Sequence, residues 1–123
     1  MARTLTPADP AEVAAALDAH RSGSGDSSST RLLVKHILAL LTQRAPGRSV
    51  EVRVPPYAAI QCIDGVRHTR GTPPAVIEVN PQTLIDLATG ALTWTAAVEQ
   101  GWVFASGERA DLTPYLPLLT PTP

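Results

Sequence analysis

Residues 76–107, VIEVNPQTLIDLATGALTWTAAVEQGWVFASG, constrain the fold more than any other stretch of this chain. Ile77 and Val79 alternate with Val76 and Glu78, the period-two pattern of a strand with one buried face. Asn80 and Pro81 then read as an N-cap and first helical residue. The asparagine oxygen can accept from a free amide, and proline at the first position sacrifices no hydrogen bond. Leu84, Leu87 and Ala88 fall at i, i+3 and i+4 and form one apolar stripe. Gly90 suits the left-handed residue that ends a helix, Thr93 caps a second short helix, and Gly101 closes it before residues 102–105 begin a strand. Every local signal agrees with its neighbours, as in a segment that folds one way.

The rest of the chain supplies elements to pack against this unit. Residues 7–20 predict a short helix capped by Asp9, with Pro10 at its first position and a thin stripe of Val13, Ala16 and Leu17. So little apolar surface makes residues 1–20 an arm or a weakly docked helix. Residues 21–30, RSGSGDSSST, read as a flexible linker because a Gly/Ser run cannot pack. The strongest helix spans 31–45, capped by Ser29 or Thr30 and stopped by Pro46-Gly47. Leu33, Ile37, Leu40 and Leu41 form its stripe. Leu32, Val34 and Leu38 widen that stripe until the helix must be buried on more than one side, against the first helix, a partner chain or a lipid.

Val50, Val52 and Val54 alternate with Glu51 and Arg53 as a strand, which Pro55-Pro56 interrupts. A second strand over 57–63 puts Ile60 and Cys62 on one face, and Asp64-Gly65 turns towards a third over 66–70. Near the end, Leu112, Tyr115, Leu116 and Leu119 keep helical spacing, but Pro114 and Pro117 limit them to broken turns. The fold class is α+β: a four- to five-stranded, mainly antiparallel sheet covered on one face by helices, with residues 31–120 as the domain.

The net charge of -1 offers no field to steer nucleic acid or an anionic membrane. The single Cys62 excludes an internal disulfide and fits a reducing cytosol, and no apolar run reaches membrane-spanning length. The start, MARTLTPADP, has no apolar core for a signal peptide, so a cytoplasmic location is expected.

The pattern L-x-x-L-A-x-G-x-L-x-x-x-x-A-x-x-x-G-x-V-x-x-x-G, carried by Leu84, Leu87, Ala88, Gly90, Leu92, Ala97, Gly101, Val103 and Gly107, resembles the C-terminal half of the sterol carrier protein 2 family. The whole chain is similar to the small bacterial sterol carrier proteins of actinobacteria. That resemblance implies lipid binding in a tunnel between sheet and helices. Leu84, Leu87, Leu92, Val98, Trp102, Phe104, Leu116 and Leu119 are its candidate lining, with a plain core as the alternative for each.

Arg67, His68 and Arg70, beside Thr69, Gly71 and Thr72, suit an anionic head group. On a regular strand Arg67 and Arg70 point to opposite sides, so an anion site needs irregular backbone there. The alternative is a solvated strand and turn whose arginines pair with Glu51, Asp64 or Glu78. Cys62 and His68 make a poor nucleophile and base, since a mid-strand thiol between isoleucines is inert and nothing orients the histidine. His20, His36 and His68 lack metal-ligand spacing, and neither paired carboxylates nor a glycine-rich phosphate loop occurs. No catalytic residue, metal or cofactor is expected. The reading is non-enzymatic binding or carriage of a lipid, fatty acyl or other amphipathic small molecule. The alternatives are an interaction or accessory module, a homodimer through its apolar face included, or an accessory domain of a thiol-dependent isomerase-type enzyme.

Overall fold

In the computed structural model, residues 5–65 and 75–119 are described. They form, in order, α1 (Pro10–Ser22), α2 (Ser27–Arg44), β1 (Val50–Val54), β2 (Ala58–Cys62), β3 (Ala75–Val79), α3 (Pro81–Thr89), α4 (Trp94–Glu99), β4 (Val103–Ser106) and a 3-10 turn at Thr113–Tyr115. The expected third strand over 66–70 lies outside the described residues.

The four strands make one sheet in the order β2-β1-β3-β4. Two of its three pairings, β1 with β2 and β3 with β4, are antiparallel, as expected; the central pair β1–β3 is parallel, so the sheet is mixed. Alternation sorts the two faces. Val50, Val52, Val54, Ile60, Cys62, Ile77, Val79 and Val103 are buried, whereas Arg53, Ala59, Gln61, Glu78 and Phe104 on the opposite side are exposed. The helices cover the first face, and their apolar stripes close the core over it. Each fully buried Val, Leu or Ile stabilises the fold by about 1.5–3 kcal/mol relative to exposure.

The wide apolar perimeter of α2 has a structural cause. Leu33, Val34, Ile37, Leu38 and Leu41 are buried, and α2 packs against α1, β2 and α3. Of the three partners its sequence allowed, the first helix is the one observed. Val13 and Ala16 of α1 join the common core. The buried His36 of α2 accepts the Ala8 amide at Nδ1 (2.9 Å), so the segment before α1 is tied to α2.

Three boundaries differ from expectation. α2 is capped by Asp26, not by Ser29 or Thr30: the Asp26 carboxylate accepts from the Ser29 amide (2.8 Å), and the Ser29 hydroxyl accepts in turn from the Asp26 amide (3.0 Å). That reciprocal box satisfies two otherwise orphaned donors, which outweighs the modest helix propensity of serine. Four residues expected in the linker, 27–30, therefore form the first turn of α2, and α1 runs on to Ser22. Ile63, expected to continue β2, instead has φ of 66° and is buried. There its carbonyl accepts from the Ser49 amide (3.0 Å) and hydroxyl (2.6 Å), while its own amide donates to Ala45 (2.7 Å). These bonds lock the exit of α2 to the end of β2.

Gly47 lies inside that lock at φ 147°, where an added methyl would overlap the Ile63 carbonyl. Gly90 also has positive φ, 86°, but a methyl there would meet only Pro117 at 3.8 Å. Gly90→Ala should cost about 1–2 kcal/mol, the strain of a left-handed non-glycine residue. Gly47→Ala should cost more than about 3 kcal/mol, because backbone must move as well. Urea unfolding of both variants checks this ordering.

Burial pushes the His36 imidazole below its ordinary value of 6.5. Above pH 6.5 both folded and unfolded chains hold it neutral. As pH falls through that value the unfolded chain takes up a proton first, so stability declines, and the decline ends once the folded form is protonated too. His36→Gln retains an acceptor without the titration. It should flatten the stability slope between about pH 7 and 5, measured by urea midpoints across that range.

Candidate functional site

The C-terminal end of α3 carries no basic residue to interact with its last carbonyls. The chain answers that need from a distance. Leu118 and Leu119 both donate their amides to the Ala88 carbonyl, at 3.0 and 2.9 Å. Arg44, in the last turn of α2, fastens the same segment from the other side, donating from Nη1 to the carbonyls of Tyr115 (3.0 Å) and Pro117 (2.8 Å). Residues 113–119 thus form a strap across the ends of α2 and α3. Its path is set by prolines that forbid a regular helix and by Leu112 and Leu118, which are buried in the core.

Between the strap, the end of α3 and the start of α4 lies an open pocket of about 260 Å³. Leu87, Gly90, Leu92, Thr93, Trp94, Thr113, Leu116 and Pro117 line it. Each is placed by a local rule. Leu87 follows from the apolar stripe of α3, and Gly90 ends that helix with its amide donating to Leu87 (3.3 Å). Thr93 caps α4 by accepting from Ala96 (3.1 Å), which sets Trp94 as the first helical residue. Among the described residues the lining includes no ionisable side chain, so the pocket favours uncharged, apolar groups.

The expected lining residues divide into three groups. Leu87, Leu92 and Leu116 do face the pocket. Leu84 is wholly buried in the core, and Leu119 packs against the core from the strap. Val98, Trp102 and Phe104 lie on the surface, exposed at 45%, 50% and 64%. The reason for the last group is geometric: Val103 turns inward, so Phe104, one residue on, must turn outward. Ala97 is likewise the buried residue of α4, leaving Val98 outside. Arg67, His68 and Arg70 lie outside the described residues.

Sequence reasoning missed Gly90, Thr93, Trp94, Thr113 and Pro117 as pocket residues. Gly90 and Thr93 read as caps in the sequence, and the residues beside a cap are those that a sharp turn presents to a neighbouring segment. Nothing in the sequence near Thr113 or Pro117 indicated that the strap would cross this turn.

The chemistry of the remaining reactive groups is muted. Cys62 is fully buried, and burial pushes its thiol up to about 12, so it is held protonated at neutral pH. His20 contacts Asp86 (3.4 Å) and Gln82 (2.9 Å), joining α1 to α3 in a structural role. Among the described residues no group of three metal-ligating side chains converges, and no helix is long and apolar enough to cross a membrane.

A family model described as a bacterial SCP ortholog matches residues 26–118. The match begins at the N-cap of α2 and ends at the strap residue Leu118, so it takes in the whole sheet and the pocket. The chain therefore belongs to this sterol carrier protein-like family. No curated protein matches it.

Arg44→Ala removes both guanidinium bonds to the strap. Hydrogen exchange at the Leu118 and Leu119 amides should quicken, while global stability falls by less than about 2 kcal/mol, as for exposed hydrogen bonds. Unchanged exchange at those two amides would show that the strap is held without Arg44.

Proposed function

We propose that this sterol-carrier-like protein binds a lipid or another amphipathic small molecule through an apolar portion inserted beside Leu87, Leu92, Trp94 and Leu116, without chemical change to the ligand. The pocket carries this reading: it is apolar, open, free of ionisable lining, and lies within the region that the family model matches. A volume of about 260 Å³ falls below the roughly 300–1,000 Å³ of sites that enclose a drug-sized ligand. The pocket therefore takes the end of a chain or one ring, and the remainder of the ligand lies along the surface. Burial stabilises the inserted part by about 0.8 kcal/mol per methylene group. Arg67, His68 and Arg70 belong to the proposal as partners of an acidic head group, on the strength of their residue types alone.

The non-enzymatic part of the reading rests on the same chemistry. A thiol raised to about 12 is no nucleophile at neutral pH, and the pocket offers neither acid nor base. The threonine hydroxyls at its rim, Thr93 and Thr113, suit hydrogen bonds to a neutral polar atom of the ligand.

An environment-sensitive fluorescent fatty acid should bind saturably to the protein in detergent-free buffer. Leu92 is half-buried at the pocket wall, so Leu92→Asp should keep the fold while weakening probe binding tenfold or more. Leu92→Met, similar in volume and still apolar, should stay within about threefold of the parent. Equal affinity for all three proteins would place the probe elsewhere and remove the pocket as the site.

A further inference from the structure

We propose that the sheet face turned away from the helices is self-complementary, and that two copies of this chain pack through it as a two-fold dimer. The register sets four residues in one cross-strand row on that face. Ala59 of β2 lies opposite Arg53 of β1, Arg53 opposite Glu78 of β3, and Glu78 opposite Phe104 of β4. All four are exposed, Phe104 at 64%, because the same strands turn Val52, Val54, Ile60, Ile77, Val79 and Val103 towards the helices. A charged row alone is an ordinary solvated face; the order of this one carries the inference.

Across the strand order β2-β1-β3-β4 the row runs small, cation, anion, large. A second copy, given a half turn about an axis that follows the strands between β1 and β3, presents the same row in reverse. Ala59 then faces Phe104 of the second copy, and Arg53 faces Glu78 of the second copy. Each pairing occurs twice, as an isologous interface requires. A large ring opposite a small methyl lets the two layers interdigitate, and arginine can meet a carboxylate through two hydrogen bonds. Charge also selects the orientation. An axis along the row itself would set Arg53 on Arg53 and Glu78 on Glu78, which like charges oppose. Within one chain Arg53 pairs with Glu51, while Glu78 makes no ion pair among the described residues. The dimer gives Glu78 a cation and seats Arg53 between two carboxylates. In the next row, Gln61, Glu51, Val76 and Ser106, the same operation brings Gln61 to Ser106 of the second copy, a pair able to hydrogen-bond.

The size of the face sets the strength of the association. Four strands of four or five residues, at ordinary strand spacing and rise, cover a footprint of roughly 300 Å² per copy. A standard stable interface buries about 800 Å² per partner, so this dimer is weak and forms as concentration rises. Two twisted sheets packed in this way keep their strands within about 30° of each other. The pocket takes no part, because its walls come from α3, the turn into α4 and the strap, and none from the sheet. Each copy therefore keeps its pocket open, and the inference stands apart from the reading of the ligand.

Sedimentation equilibrium of the full chain, from micromolar to near-millimolar concentration, tests the proposal. The parent should show a reversible monomer–dimer equilibrium. Arg53→Glu sets two carboxylates against each other at both central pairings, and Glu78→Arg does the same with two guanidinium groups. Each should raise the dissociation constant tenfold or more. The two variants complement each other. Mixed in equal amounts, they should form a heterodimer at concentrations where each alone is monomeric, since every substituted side chain then faces its opposite charge. The exchange variant, Arg53→Glu with Glu78→Arg, should dimerise within about threefold of the parent, because the two changes are coupled across the interface. A parent that stays monomeric over the whole range overturns the proposal and leaves this face to solvent or to a different protein. A single variant that dimerises as the parent does overturns it too, assigning the dimer to another surface. So does an exchange variant that folds with the parent's urea midpoint yet remains monomeric where the parent is dimeric.

Discussion

Burial of α2 on several sides is the constraint on which the rest of the structure depends. Its apolar residues exceed what one sheet face can cover, so a second layer has to form over it, and α1 provides that layer. Two of its polar residues then gather the ends of the chain. His36 holds the segment before α1 by the Ala8 amide, and Arg44 holds the strap after β4 by two carbonyls. The strap that Arg44 holds supplies the pocket wall of Leu116 and Pro117.

The pocket arises where three helix-end problems are solved at once. The end of α3 needs a donor for the Ala88 carbonyl, α4 needs its Thr93 cap, and the end of α2 directs Arg44 outward to the strap. Turns solved by caps leave concave space between them, and here the space is lined by aliphatic and indole surface. That the lining carries no charge is a consequence of which residues cap: threonine, glycine and backbone amides do the work that an aspartate or lysine does elsewhere.

Much of the fold was legible in the sequence because the relevant physics is local. Asn80, Thr93 and Asp9 each cap the helix that their position announced, and the alternation of Val50, Val52 and Val54 sorted β1 correctly. Asp26 was overlooked because the serines after it suggested flexibility; what they form with it is a cap. The resemblance to lipid carriers places Trp102 and Phe104 among the lining residues, whereas both are exposed. The alternation that buries Val103 turns Phe104 to the other face, a relation legible in the sequence alone. The parallel pairing of β1 with β3 was not legible in that way, since nothing near either strand encodes which neighbour it will meet.

The sequence by itself determined which segments are helical and which extended, which side of each strand is apolar, and that one helix needs cover on several sides. These properties depend on contacts within a few residues, or on a count of apolar surface. Tertiary structure alone decided the strand order, the identity of the layer over α2, and the crossing of residues 113–119 over the end of α3. Each of those brings together groups that are distant along the chain, as when Arg44 meets the carbonyls of Tyr115 and Pro117. The pocket belongs to this second class. Its walls come from three segments, and none of them is concave until the other two are in place.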